Sequence, residues 1–399
     1  MFRDIEIKYF NGTHRAIDPL ETINRNEKMI KIAGITRITD ITNLDRVGIP
    51  VYSAIRPSAQ YGGISIYAGK GVTKTQAKAS AIMEGFERYS AEYQSKDEFR
   101  VKNGNFEDIE NKIDMNDLII PKNCIYDENN IQWIKSMDIA SEKEYYIPVN
   151  AVFHPYANKD FSHLFKSNTN GLASGNFLEE AVLHGIFEVV ERDAWSIYER
   201  TKKNNKQISA DSIENSLIKC VLNKFKDVNI NIKLIDITTD SKIPTVIASA
   251  DDTMLKDSAL LTLGVGTHLN PEIAVLRALT EVAQSRVTQI HGTREDTVRA
   301  DFLRKAGYER MKRINKHYFQ EDEDKLNFED IENKSSNSLK TDIGRSIEEL
   351  NKCGLDKVLF TDLTRHEVGV NVVRVVIPKA ELYSVDSERI GQRLIDFSN

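Results

Sequence analysis

At 399 residues, with 40% hydrophobic and 29% charged side chains, the chain is long enough to bury a full core and too apolar to be disordered. A net charge of −6 excludes a protein built mainly to coat nucleic acid. Cys124, Cys220 and Cys353 lie too far apart for a disulfide framework or zinc spacing, and no apolar run approaches a membrane span, so a soluble cytoplasmic protein without nucleic-acid or membrane partners is expected.

The opening MFRDIEIKYF has no apolar h-region of a signal peptide. Residues 1–35 are polar and irregular, with few apolar anchors, and read as an N-terminal extension or as small strands. From Gly34 to Pro57 two apolar runs flank Asn43–Gly48 and predict a strand pair. A glycine-rich stretch, Tyr61–Gly71, leads into a predicted helix over about Thr75–Gln94. Residues 97–150 are charged, with short strands expected around Ile119 and Tyr145–Val149. The turn Ser167–Asn176 precedes a second helix, about Leu178–Arg200. Strands are expected at Lys233–Ile237, Pro244–Ala250 and Ala259–Val265. A third helix then starts with capping Asn270, Pro271 at the first helical position and Glu272 behind it. Residues 300–345 are very charged and read as a solvated helical insertion. Strands at Val358–Thr361 and Val370–Ile377 and a short helix complete the chain.

Two recurrences stand out. The octapeptide NFEDIENK occurs at Asn105–Lys112 and at Asn327–Lys334 and reads as surface coincidence in so Asn-, Lys- and Glu-rich a chain. Asp40-Ile-Thr, Asp236-Ile-Thr and Asp362-Leu-Thr each close one apolar strand before another begins. Asp and Thr side chains bond turn backbone, so a sheet-rich body with a repeated strand pair is one reading, and a common strand ending the other.

The helices carry the chemistry. At about 100° per residue, Ser80, Glu84, Glu87 and Arg88 share one face of the first. Glu180, His184, Glu188, Glu191 and Arg192 share an arc of the second, and Arg277, Glu281 and Gln284 one of the third. These stripes are either solvent faces of amphipathic helices or one shared site. Like charges three and four residues apart repel unless compensated, yet Glu-x-x-Glu-Arg occurs twice. Each occurrence follows a small-residue loop that exposes backbone N–H groups to an anion. Converging carboxylates suit Mg²⁺, which favours a few carboxylates plus substrate phosphates. Gly69-Lys70-Gly71 lacks Walker A spacing, so this points to a nucleotide site outside the common folds. His184 reads as either a base or a structural hydrogen-bond partner. His291 and Arg294-Glu295-Asp296, after the third helix, read as contacts to substrate or phosphate or as a solvated turn.

The segments GKGVTKTQAKASAIMEGFERYSAEY, NTNGLASGNFLEEAVLHGIFEVVERDAWSIYE and ALTEVAQSRVTQIHGTRED, in that order, resemble the YcaO family over about Gly34 to Pro378. The resemblance implies a mixed α+β fold with antiparallel and mixed sheets, whose helices line a non-Walker ATP cleft. It assigns residues 36–399 to one catalytic domain. It also implies ATP and Mg²⁺ as cofactors and phosphorylation of backbone amides as the activity. Glu84, Glu87, Glu188 and Glu191 match the magnesium and phosphate carboxylates. Ser80, Arg88, Asn176, Glu180 and Arg192 match positions that line ATP, Ser174 lies in the second motif's loop, and Glu281 and Gln284 match the third motif. Lys70 and Arg286 are added from charge and loop position, with Glu191, Arg192 and Arg286 as candidate catalytic residues. The chain is most similar to stand-alone YcaO proteins of methanogens. These are associated with a TfuA-like sulfur-delivery partner and with thioamidation of a glycine in the methyl-coenzyme M reductase α subunit. A homodimer is implied. The ending RIGQRLIDFSN, without the Pro-rich tail common in azoline-forming members, weakens a cyclodehydratase reading. That reading and a non-catalytic ATP-binding peptide scaffold remain the alternatives.

Overall fold

The computed structural model describes residues 2–104, 107, 109–203, 205–292 and 299–399. The chain opens with the hairpin β1 (Lys8–Tyr9) and β2 (His14–Arg15), then α1 (Pro19–Ile32). Strands β3 (Arg37–Asp40), β4 (Val51–Ile55) and β5 (Ile66–Lys70) precede α2 (Lys74–Ala91). Next come β6 (Val101–Gly104), β7 (Ile131–Asp138), β8 (Glu144–Pro148) and β9 (Leu172–Gly175), then α3 (Leu178–Thr201). Strand β10 (Lys206–Ile208), α4 (Ser216–Lys226), β11 (Ile230–Asp236), β12 (Thr245–Asp252) and β13 (Thr262–Thr267) lead to α5 (Pro271–His291). The short helices α6 (Arg299–Ala306), α7 (Tyr308–Ile314) and α8 (Lys316–Phe319) precede β14 (Lys325–Leu326) and α9 (Leu339–Lys352). Strands β15 (Leu359–Asp362) and β16 (Asn371–Val376) and helix α10 (Gln392–Ser398) end the chain.

Apart from the hairpin, three sheets form: β3-β4-β5, β13-β12-β11-β10-β14, and β6-β7-β15-β16-β9 with β8 beside β7. Among the described residues, β10–β14 is the parallel pairing between strands; an isolated bridge of Lys112 to Tyr146 is parallel as well. The mixed α+β architecture with antiparallel and mixed sheets is the expected one. The three Asp-Ile/Leu-Thr sequences end β3, β11 and β15, each followed by an antiparallel partner. In each, the Asp carboxylate accepts the N–H two residues on, from Thr42 (3.0 Å), Thr238 (3.0 Å) and Thr364 (2.8 Å). A third strand completes each unit: β5, β13 and β9. The helices that follow these strands are α2, α5 and α3. One design, three antiparallel strands carrying one helix, therefore occurs three times, the last with its third strand and helix drawn from earlier in the chain.

Small residues set the helix–strand spacing. A Cβ on Gly69, Gly175, Gly264 or Gly266 would collide with backbone of the helix that follows its own strand. Ala77, Ala81, Ala181, Ala274 and Ala278 are buried on the helices. Such close packing fixes which helix face remains turned away from the sheet. Caps fix the starts. Thr73 and Gln76 form a reciprocal capping box on α2, and Asn270 accepts the Glu272 N–H at 2.9 Å on α5.

Three expectations are corrected. Residues 1–35 are not irregular: α1 starts with Asp18 accepting the Leu20 N–H at 2.8 Å and Pro19 at the first turn, the same start chemistry as α5. Ile119 is no strand but a residue with φ of 55° ending a short 3₁₀ turn; the strands of this region are β6, β7 and β8, the last at the expected Tyr145–Val149. The charged 300–345 region does hold helices, but it is not merely solvated: Tyr318, Phe328, Leu339 and Ile343 are buried, and β14 extends a sheet. Phe328 belongs to the second octapeptide copy, which is thus partly core. Residues 105, 106 and 108 of the first copy, and Arg294, Glu295 and Asp296, lie outside the described residues.

Candidate active-site cleft

The polar faces of α2, α3 and α5 meet around one cavity of about 580 Å³. The three helices enter it in the same register: Ser80, Glu84, Glu87, Arg88; His184, Glu188, Glu191, Arg192; and Arg277, Glu281, Gln284, Ser285. Lys70 at the end of β5, and Ser174, Asn176 and Glu180 at the β9–α3 junction, also line it. Its wall includes His14 and Arg15 of the N-terminal hairpin. The hairpin is held there because Glu180 accepts the Ala16 N–H at 3.0 Å.

Arg286 does not line the cleft, which corrects its candidate catalytic role. It is fully buried and bonds Asp45 at 2.7 and 3.1 Å and Asp252 at 3.1 Å. Nine residues beyond Arg277 on α5, it points to the opposite side of the helix and ties it to the β3–β4 connection and to β12.

Charge alternates along the cleft. Arg88 stands 3.3 Å from Glu84 and 3.7 Å from Glu87. Arg192 stands 3.6 Å from Glu191 and over the Trp195 ring at 5.2 Å. Lys70 pairs with Glu281. Burial pushes the Glu87 carboxyl well up, Arg88 pulling the other way and Glu188 and Glu84 adding to the rise. Burial likewise raises Glu188 and pushes Glu191 up to about 7. Burial would raise Glu281 too, but Lys70, Arg192 and Arg277 outweigh it and hold that carboxyl below its ordinary value. His184 is held far below its ordinary value by burial and then by Arg277, whose guanidinium lies 3.2 Å from its Nδ1. It is therefore a neutral positioning partner of Arg277.

Glu84, Glu87, Glu188 and Glu191 share the cleft but form no cage: among the described residues no three His, Cys, Asp or Glu groups are already gathered for a metal. Arginines intervene. The buried Glu191 Oε2, Arg88 Nε and Arg88 Nη1 have no hydrogen-bond partner. Unsatisfied acceptors and donors in one cleft fit a bound cation together with phosphate oxygens, since Mg²⁺ takes one or two carboxylates and completes its shell with phosphates and water.

The sequence places Arg277 on the third polar face but assigns it no role, and His14, Arg15 and His268, which also line the cleft, and Arg374 behind it were not foreseen. The place of Arg277 is set by the shared period: it precedes Glu281 by four, as Ser80 precedes Glu84 and His184 precedes Glu188. Arg374 comes from a strand and carries no helical period. Its charge acts on Glu87 and Glu188. His14, Arg15 and His268 reach the cleft only through the hairpin and the β13–α5 turn. Of the cysteines, Cys220 is exposed and Cys124 and Cys353 are half-buried, and none lines the cleft.

Comparison with known proteins agrees with this arrangement. The family model described as YcaO cyclodehydratase, ATP- and Mg²⁺-binding, matches residues 68–381. An uncharacterized protein of Methanothermobacter thermautotrophicus is 51% identical over 95% of this chain and 98% of its own. An uncharacterized protein from the tfuA 3′ region of Rhizobium leguminosarum bv. trifolii is 30% identical over 96% and 92%. The structure of YcaO from Methanopyrus kandleri bound with AMPPCP and Mg²⁺ superposes with a TM-score of 0.81 at 31% identity, covering 98% of both chains. The three repeated helices, their shared cleft and these matches lead to one conclusion: the chain belongs to the YcaO family.

Proposed function

We propose that this ATP-dependent peptide-modifying enzyme replaces the oxygen of a peptide backbone amide with sulfur. The proposed substrate is a glycine of the methyl-coenzyme M reductase α subunit, with a TfuA-like protein delivering sulfide and the enzyme working as a cytoplasmic homodimer. The observation that carries the amide-activating part is the convergence of Glu84, Glu87, Glu188, Glu191 and Glu281 with Arg88, Arg192, Arg277 and Lys70 on one cleft. The sulfur-transferring part is supported by the similarity, along 96% of the chain, to a protein encoded beside tfuA.

An amide oxygen is a poor leaving group; bound ATP·Mg²⁺ supplies the phosphoryl group that converts it into phosphate. Overall, amide, hydrosulfide and ATP give thioamide, ADP and phosphate. Glu84, Glu87, Glu188 and Glu191 are the residues to hold Mg²⁺. Ser80, Ser174, Asn176, Glu180, Glu281 and Gln284 are those to fix the nucleotide. Arg88 and Arg192, already positioned by their neighbouring carboxylates, offset charge that develops at the transferred group. Lys70 is held by Glu281 in the same cleft. The chain's contribution is thus positioning and preorganised charge rather than a covalent nucleophile.

The test is a reconstituted reaction on a glycine-containing peptide free of Cys, Ser and Thr, read by mass spectrometry. ATP-dependent exchange of oxygen for sulfur supports the proposal. Loss of water from a Cys- or Ser-containing peptide without added sulfide favours cyclodehydration instead. Nucleotide binding without ADP release in either reaction leaves a peptide-binding scaffold.

A further inference from the structure

A second cavity, about 40 Å³ in volume, lies behind the cleft, lined by Val189 of α3, Arg374 of β16, Asn168, Asn170, Phe165 and Arg389 among others. Five arginines are buried in the described structure: Arg56, Arg286, Arg365, Arg374 and Arg389. The first three each carry a carboxylate partner, respectively Glu92, Asp45 with Asp252, and Asp97. Among the described residues, neither Arg374 nor Arg389 has a carboxylate within ion-pair distance, and these two line the same cavity. A buried charge without a counter-charge is costly, so two around one void call for an explanation.

Their hydrogen bonds run to neutral groups. Arg374 donates to the Asn168 carbonyl at 2.8 Å and to its side-chain oxygen at 3.3 Å. Arg389 donates to the carbonyls of Leu118 and Ile119 and lies 3.8 Å above the Phe165 ring centroid. The Nε of Arg374 has no partner, and the Asn170 side-chain oxygen has none either. The Asn170 amide can turn its NH₂ to the same void, because oxygen and nitrogen of an amide exchange places by a flip. Asp117 also borders the cavity, and Asp386 is the acid whose charge acts on Arg389. Burial and then the nearby carboxylates and Arg88 govern Arg374, with Arg389 adding further repulsion. The volume holds roughly three water-sized groups, which suits a monatomic or diatomic anion.

We propose that the cavity between Arg374 and Arg389 binds a small monovalent anion, a halide or hydrosulfide. The charges of Glu87 and Glu188, which line the cleft, also act on Arg374, so an anion bound here would bear on the cleft through that guanidinium. Hydrosulfide as occupant rests on the thioamidation reading above; halide binding does not.

The test uses the full chain in sodium bromide against sodium gluconate at equal ionic strength. Bromide should raise the melting temperature saturably, by roughly 2–4 °C at a hundredfold excess over its Kd. Bromide-soaked crystals should show anomalous density between the two guanidinium groups. Arg389→Met, which keeps an apolar stem against Phe165, should abolish the bromide increment. Should that variant not fold, the anomalous map on the unaltered protein decides. Equal melting in both salts, with only water in the cavity, overturns the proposal. In turnover with hydrosulfide, bromide raising the sulfide KM at least twofold without lowering kcat identifies hydrosulfide as the occupant. Bromide bound without competition identifies a halide. If no thioamide forms at all, the functional reading fails while the bromide measurements still stand.

Discussion

Glu191 concentrates the electrostatics of the cleft in one side chain. It is buried, one of its oxygens has no hydrogen-bond partner, and its carboxyl is pushed from 4.5 to about 7. Because the folded pKa is raised, folding takes up a proton, and the stability this contributes is present below the unfolded value and lost as pH rises through 7. The loss is on the order of 3 kcal/mol by pH 8. Glu191→Gln should therefore melt at or above the wild-type temperature at pH 8, the gap closing near pH 5, while ATP-dependent product formation falls by about 10²-fold or more. Glu281 has the opposite sign: its depressed carboxyl stabilises above the ordinary carboxylate range and loses that contribution under acid. A wild-type advantage in apo melting at pH 8 would make Glu191 a structural ion-pair partner instead. Arg286 needs a different test, because it touches Asp45 and Asp252 rather than the cleft. Arg286→Met leaves Asp45 buried without its partner and should cost about 3–5 kcal/mol in urea unfolding. A stable variant that lost only turnover would return Arg286 to the catalytic set.

At the level of elements, the cleft exists because three strand–helix units present one helical register to a common space. The glycines of β5, β9 and β13 let each helix approach its sheet more closely than any side chain would permit. Gly264→Ala puts a methyl into the α5 backbone and should destabilise by about 3 kcal/mol or more, since a rigid backbone cannot yield as a side chain can. It should also weaken nucleotide binding through displacement of Glu281. Gly344 in α9 is the control: it is exposed, and a Cβ there meets nothing. Gly344→Ala should stabilise by about 0.5–1 kcal/mol through helix propensity. Chemical denaturation of both variants checks the pair, and equal effects would mean that strand–helix approach does not set the site.

Across the whole molecule, the three helices are linked through the cleft rather than through a shared sheet, so a ligand there should hold the units together. Non-hydrolysable ATP with Mg²⁺ should stabilise the chain by about 2.7 kcal/mol at a hundredfold excess over Kd, and chelating the Mg²⁺ should remove most of that gain. Unchanged melting in the presence of both would count against the cleft as the nucleotide site. Local chemistry was legible in the sequence wherever it repeats at a fixed period. The carboxylate stripes of α2 and α3, the Asn270–Pro271 start of α5 and the three Asp-Ile/Leu-Thr strand endings depend only on neighbours within a few residues. The α1 start at Asp18–Pro19 was equally local and was overlooked because the segment around it is polar. What the sequence could not determine was which distant segments share a space. Arg286 carries the same charge as Arg277 on the same helix, and only packing turns one into the cleft and the other toward Asp45. Arg374, His14 and Arg15 come from a strand and a hairpin with no periodic signal. Arg374 and Arg389, a pair without a carboxylate partner 15 positions apart, meet only because β16 and the segment after it fold back over α3. Caps and turn bonds act over a few residues, whereas burial, charge and the hydrogen bonds that tie distant segments, such as Ala16 to Glu180, act through space, and that proximity is supplied by the tertiary structure alone.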